Sequence, residues 1–132
     1  MWVWIILGVL VIFLAYVRLA PVDVGAVHQS PIPAQDGAGS ALQVVPDSEG
    51  MLARLDAAMM AEPATKRIAG SVADGRISYV SRSRWIGFPD YTTLQKDAGQ
   101  ITLFARLRFG QSDLGVNRKR LQRVIAVAQA GG

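Results

Sequence analysis

The chain is predicted to be α+β: an N-terminal single transmembrane helix, then a small domain of helix, four-stranded antiparallel meander and C-terminal helix. Three observations predict this. Residues 2–17, WVWIILGVLVIFLAYV, carry no charge. Residues 101–109 alternate apolar and polar positions, and Asp74-Gly75 and Asp97-Ala98-Gly99 supply tight turns before them. Two stretches, 48–61 and 114–129, repeat apolar residues at helical spacing.

The apolar run is the first element. As a helix, residues 2–17 span roughly 24 Å, and Arg18, Leu19 and Ala20 extend this to about 28 Å, close to the thickness of a bilayer core. Trp2, Trp4 and Tyr16 lie at the two ends, where amphipathic rings favour a membrane interface, and Arg18 can reach the head groups. Pro21 stops the helix. A cleaved signal peptide is disfavoured, because no basic stretch precedes the run and no small-x-small site precedes Pro21. A buried core helix would show a polar stripe somewhere, and none exists. Residues 1–20 are therefore read as an anchor.

Residues 21–47 hold Pro21, Pro31, Pro33 and Pro46 with Gly25, Gly37 and Gly39, and read as an extended linker. The single histidine, His28, lies in it and reads as solvated, since no partner stands at a suggestive spacing. The domain is placed at 48–132. Its first helix runs through about Ala61 with Ser48 as N-cap and with Leu52, Leu55 and Met59 on one face. Strands follow at 65–72, 76–84, 90–95 and 101–109. The last helix, about 114–129, turns Leu114, Leu121, Val124, Ile125 and Ala128 inward together with the polar Asn117.

Charge divides the chain. Residues 21–65 carry six acids and one base, Arg54, whereas residues 66–132 carry twelve lysines and arginines against four acids, a net of +8. Such a half suits an anionic partner. With no cysteine there is neither disulfide nor thiolate metal site. No carboxylate pair, metal-ligand cluster or nucleophile elbow is apparent, so no catalytic residue, cofactor or metal is expected.

Two stretches stand out: 81–91, SRSRWIGFPDY, and 106–120, RLRFGQSDLGVNRKR. The second reads as a strand-to-helix corner. Gly110 permits a bend, Ser112 or Asp113 caps the helix, Gly115 allows close approach to the sheet, and Arg118 is in reach of Asp113 or Asp90. Its helix N-terminus, flanked by Arg118, Lys119 and Arg120, also suits an anion. Arg82, Arg84, Arg106 and Arg108 would form a basic plate if their strands lie near one another, able to meet anionic lipid.

The SDLGVNRKR run, with the Phe88-Pro89-Asp90 element before it, resembles the signature of the domain of unknown function 1499 family, over roughly residues 48–129. That family has no assigned activity. Many of its members resemble exported proteins or lipoproteins whose cysteines this chain lacks, so the chain looks like a shorter, membrane-anchored α-proteobacterial branch. Arg18 alone would place the domain in the cytoplasm; the exported habit of the relatives favours the periplasmic face of the inner membrane, and that side is taken. The expected function is a non-catalytic accessory or scaffolding module docking on a larger respiratory or photosynthetic membrane complex. The alternative is binding of anionic lipid or a small anion near the corner. An enzyme built on Asp90, Asp113, Asn117 and Arg118 is more remote. The expected partners are membrane lipid and a membrane-protein complex, not nucleic acid.

Overall fold

Turn chemistry builds the sheet. In the computed structural model, which describes residues 1–29, 37, 39–83, 86–109 and 112–131, strands β2 (Thr65–Ser71) and β3 (Arg76–Arg82) join through a turn that Gly75 makes possible at φ +74°. Strands β4 (Pro89–Asp97) and β5 (Gln100–Leu107) join through Ala98 and Gly99, both at positive φ, as the tightest hairpin turn requires. All three hairpin partners are antiparallel, as the meander reading expects.

The sheet has five strands rather than four, in the order β1-β5-β4-β3-β2. The added strand β1 (Ser40–Pro46) comes from the segment read as linker and pairs antiparallel with β5, from Ser40 opposite Arg106 to Pro46 opposite Gln100. Proline and glycine on either side hid it. Pro46 ends an edge strand, where its missing N–H costs nothing.

Helix α1 (Trp2–Leu19) is long and apolar enough to cross a membrane. Helix α3 (Met51–Ala61) links the two edges of the sheet and lies with α4 (Val116–Ala130) on its inner face. Its N-cap is Gly50 in a left-handed conformation, not Ser48; Ser48 contributes its backbone carbonyl to the Met51 N–H instead. Leu52, Leu55 and Met59 from α3 and Leu121, Val124 and Ala128 from α4 meet Ile77, Tyr79, Leu94 and Leu103 of the strands in one buried core. Leu114 is not part of it: it precedes α4, takes φ +54° and is exposed. Asp56 of α3 accepts a hydrogen bond from the Tyr79 hydroxyl (2.6 Å) and pairs with Arg67 (2.6 Å), which fastens helix to sheet.

The outer face is covered as well. The segment after α1 folds back across it through the short helix α2 (Val24–Val27), and Val22 and Val27 pack on Ile68, Val80 and Tyr91. Both faces of β3 are therefore covered, and every residue from Ile77 to Ser81 is buried. His28 is not a solvated linker residue. Its Nδ1 meets Ser78 Oγ at 2.7 Å, Ser78 meets Thr93 Oγ1 at 2.9 Å, and Thr93 donates to the Val27 carbonyl at 3.2 Å. The partner is fifty residues away, beyond any local spacing rule. Gly70, at φ +80° beside a register shift in β2, lies so close to the strand turn that an added Cβ would stand 1.9 Å from the Arg76 carbonyl oxygen.

Two measurements follow from this packing. Gly70→Ala combines left-handed strain with that clash and should lower the unfolding free energy by about 2 kcal/mol or more in chemical denaturation. Burial, and then the charge of Arg76, lower the pKa of His28 from its ordinary 6.5. A lowered base stabilises the fold above its unfolded value and loses that contribution as pH falls through the folded one. Thermal melts should therefore show a loss of stability below about pH 6.5 that is smaller in His28→Gln.

Candidate functional site

The end of the sheet where β5 gives way to α4 carries most of the unusual residues. The N-cap of α4 is Gly115 rather than Ser112 or Asp113, and Asp113 supplies the side-chain acceptor from two residues before it: its Oδ1 accepts from the Gly115 N–H (2.9 Å) and its Oδ2 from the Asn117 N–H (3.2 Å), while Ser112 Oγ accepts from the Leu114 N–H (3.3 Å). Those bonds satisfy donors that a helix start leaves unpaired. Gly115 serves through its positive φ of +79°, not through close approach, since nothing lies within 4 Å of where its Cβ would be. Gly110 of the same motif lies outside the described residues.

Asn117 faces inward, as its helical position predicts, and is fully buried. Arg120 does not lie on the flank of α4. It is buried, donates to Asn117 Oδ1 at 2.5 Å and pairs with Asp90 of β4 at 3.6 Å. Arg120 is thus the arginine that reaches Asp90 across the corner. Burial pushes the Asp90 carboxyl above its ordinary value, Arg120 opposes that push, and Asp113 nearby adds to it. Arg120 thereby clamps Asp90 of the strand to Asn117 of the helix.

The turn between β3 and β4 faces this clamp. Ser83 Oγ accepts from the backbone of Gly87 (3.0 Å) and Phe88 (2.9 Å), and Arg82 donates to the Gly87 carbonyl (3.0 Å). The stem of Arg18 lies across Gly87, 2.9 Å from where a Cβ would stand. Between turn, clamp and α1 lies a cleft of about 760 Å³. Arg18, Arg82, Arg120 and Arg123 line it with Val116, and Glu62 is the acidic residue in its wall. Glu62 is already engaged by Arg123 at 2.7 Å. With Asp90 pairing Arg120 and Glu62 pairing Arg123, four arginines meet two carboxylates, which leaves the cleft net positive.

The basic plate is distributed differently from the expectation. Arg82, Arg106 and Arg108 do share the outer face, because β3 and β5 both flank β4. They are turned onto the segment that crosses that face. Arg82 donates to the Val17 carbonyl (3.2 Å), Arg108 to Pro21 (3.0 Å) and Arg106 to Ala26 (3.1 Å). Arg108 also donates to the Tyr91 hydroxyl (3.1 Å) and lies over the Phe109 ring. Arg84 lies outside the described residues. Arg118 and Lys119 are exposed on α4 and are not among the residues lining the cleft. Pro89 starts β4 and is buried, while Phe88 packs edge-on against Phe13 of α1 (6.4 Å) and at a tilt against Phe109 (6.2 Å), which in turn meets Tyr16 (6.1 Å). Trp2 and Trp4 are exposed at the far end of α1. Sequence reading missed Arg123 and Glu62, which carry no motif, and gave Arg18 to the anchor alone. Among the described residues, no three histidines, aspartates or glutamates converge as a metal site would need.

The family model described as "Protein of unknown function (DUF1499)" matches residues 20–127, and the chain belongs to that family. The match begins where α1 ends, well before residue 48, so the family unit takes in the outer-face segment and β1. No curated protein matches the chain. Among solved structures, the chain is similar to the crystal structure of a DUF4468 family protein from Bacteroides ovatus ATCC 8483, at 10% identity, covering 84% of this chain and 91% of that one with a TM-score of 0.36.

The clamp yields a stability test. Arg120→Ala leaves Asp90 buried without its cation and should cost about 3 kcal/mol. A raised carboxyl favours the fold at low pH, and that contribution is lost as pH rises through the folded value. Denaturant unfolding across the acid range should show this decline above the ordinary 3.8, extended to higher pH in the variant.

Proposed function

We propose that this member of the DUF1499 family is a single-pass membrane protein whose domain binds the anionic head group of a phospholipid in the cleft at the foot of its anchor. The carrying observation is the placement of that cleft: Arg18, at the end of α1, lines it together with Arg82, Arg120 and Arg123. If α1 spans the bilayer, Arg18 stands at head-group height, and the other three arginines share a wall with it. A phosphate is the anion that abounds at that level. Arginine forks suit phosphate oxygens, and each basic residue near a charged leaflet contributes about 1 kcal/mol.

The basic plate suits anionic lipid or an acidic protein face, but Arg106 and Arg108 bond the chain's own carbonyls, so the lipid reading rests on the cleft alone. We place the domain on the periplasmic face of the inner membrane. The exported character of the family supports that side. Arg18 is the one basic residue arguing for the other, and its part in lining the cleft gives it a reason to be there unrelated to topology.

The test uses the full chain in nanodiscs, with lipid retention read by native mass spectrometry. Phosphatidylglycerol should be retained over phosphatidylcholine, and rising salt should weaken the preference. Arg18→Ala and Arg123→Ala should each reduce retention about fivefold, the equivalent of ~1 kcal/mol. Lys119→Ala, exposed on α4 and outside the cleft, should leave it unchanged. Equal retention of both lipids by the unaltered chain would sink the proposal.

A further inference from the structure

The rings that join α1 to the domain set the domain's depth. Phe13 lies six residues before the end of α1 at Leu19, which is about 9 Å along the helix axis. Tyr16 lies three residues before it, about 4.5 Å. An 18-residue helix measures about 27 Å, slightly less than the ~30 Å hydrocarbon core. A helix that short has no length to spare, so Phe13 sits within the apolar layer when α1 spans. Phe88 packs on Phe13 and Phe109 on Tyr16. The two turns that carry them are thereby held below the head-group plane.

What those turns expose agrees with that depth. Ile86, beside Phe88, is 39% exposed; Val116, which shares the cleft with Arg18 and Gly87, is 47% exposed; Leu114 is 87% exposed. Leu114 also stands at φ +54°, a conformation that a branched side chain adopts at a cost. In water this residue would carry two penalties, strain and an exposed isobutyl group. In lipid the second becomes a gain. The opposite end of the sheet differs: its β4–β5 turn is Asp97, Ala98 and Gly99.

We infer that Ile86, Phe88, Phe109, Leu114 and Val116 form an apolar rim that enters the same leaflet in which α1 ends, so that the domain is partly embedded rather than suspended on a tether. The occupant is lipid, and the argument for it is continuity: the rim is packed directly onto the membrane-length helix. The inference rests on α1 spanning the bilayer. It does not depend on head-group binding in the cleft.

The chain has no cysteine, so single spin labels can be placed without removing native thiols. The full-length protein in nanodiscs is labelled at Ile6→Cys, Ile86→Cys, Leu114→Cys or Ala98→Cys, and each label's collision with lipid-soluble oxygen and with a water-soluble nickel chelate is measured. Positions 86 and 114 should favour oxygen, shifting toward the value at position 6 and away from that at 98. If position 6 reads as buried in lipid while 86 and 114 match 98, the rim is in water and the inference falls alone. If position 6 also reads as water-exposed, the anchor reading falls with it. Labels at 86 and 114 shielded from both reagents would mean that a second copy covers the rim, which equally overturns the inference. A second variant, Ile86→Ser with Leu114→Ser, keeps positions 86 and 114 free of a bulky label. It should shift a tryptophan-independent depth readout, the vesicle leaflet's quenching of a label at Val116→Cys, toward water; no shift would count against the rim.

Discussion

Helix α1 ends with backbone carbonyls that have no partner within the helix. The Val17 oxygen is one, and Arg82 of β3 takes it; Arg108, just after β5, and Arg106 of β5 take the oxygens of Pro21 and Ala26 further along. A cation at the negative end of a helix is favoured as well as bonded. These three bonds run from the outer face of the sheet to the chain that leaves α1, and most of the molecule's other features presuppose them. They hold Val27 over Val80 and Tyr91, which closes the second apolar cluster. They bring Phe13 and Tyr16 against Phe88 and Phe109. They also bring Arg18 to the mouth of the cleft.

The two faces of the sheet are consequently stabilised by different means. The inner face carries a broad aliphatic core under α3 and α4, with the Tyr79–Asp56–Arg67 tie at its edge. The outer face carries a small apolar cluster, a polar relay from His28 to Thr93, and arginine-to-carbonyl bonds. Area burial dominates the first face, and directional bonds dominate the second. The clamp of Asp90, Asn117 and Arg120 sits where the inner layer meets α1's end of the sheet, so the cleft has one rigid wall and one wall that depends on the outer-face bonds.

Local patterns made the meander legible. Alternation marked β5, turn dipeptides marked both hairpins, and helical spacing marked α3 and α4. Asp113 as an acceptor at the helix start and Asn117 as an inward polar residue followed from the same period. Strand β1 was not legible, because Pro31, Pro33, Gly37 and Gly39 precede it, Pro46 ends it, and its pairing partner β5 lies about sixty residues on. Arg120 was misassigned because helical spacing puts it near the boundary of the buried face, and only Asp90 across the corner draws it in. The outer-face arginines were correctly grouped on one face, but no pattern announces that a side chain will bond a distant carbonyl. The cleft joins residues from α1, the segment after α3, β3 and α4, which no contiguous motif could reveal.

Because the three arginines address main-chain oxygens, the contact is blind to which side chains the crossing segment carries. Any residue offers a carbonyl. The stretch around Val17, Pro21 and Ala26 can therefore drift, or be exchanged for another apolar span of similar course, while the joint to the domain persists; Arg82, Arg106 and Arg108 have no such freedom, since no other side chain matches their reach and planar fork. Sequence divergence among relatives should thus be lopsided across this one joint, tolerant on the side of the anchor and strict on the side of the sheet.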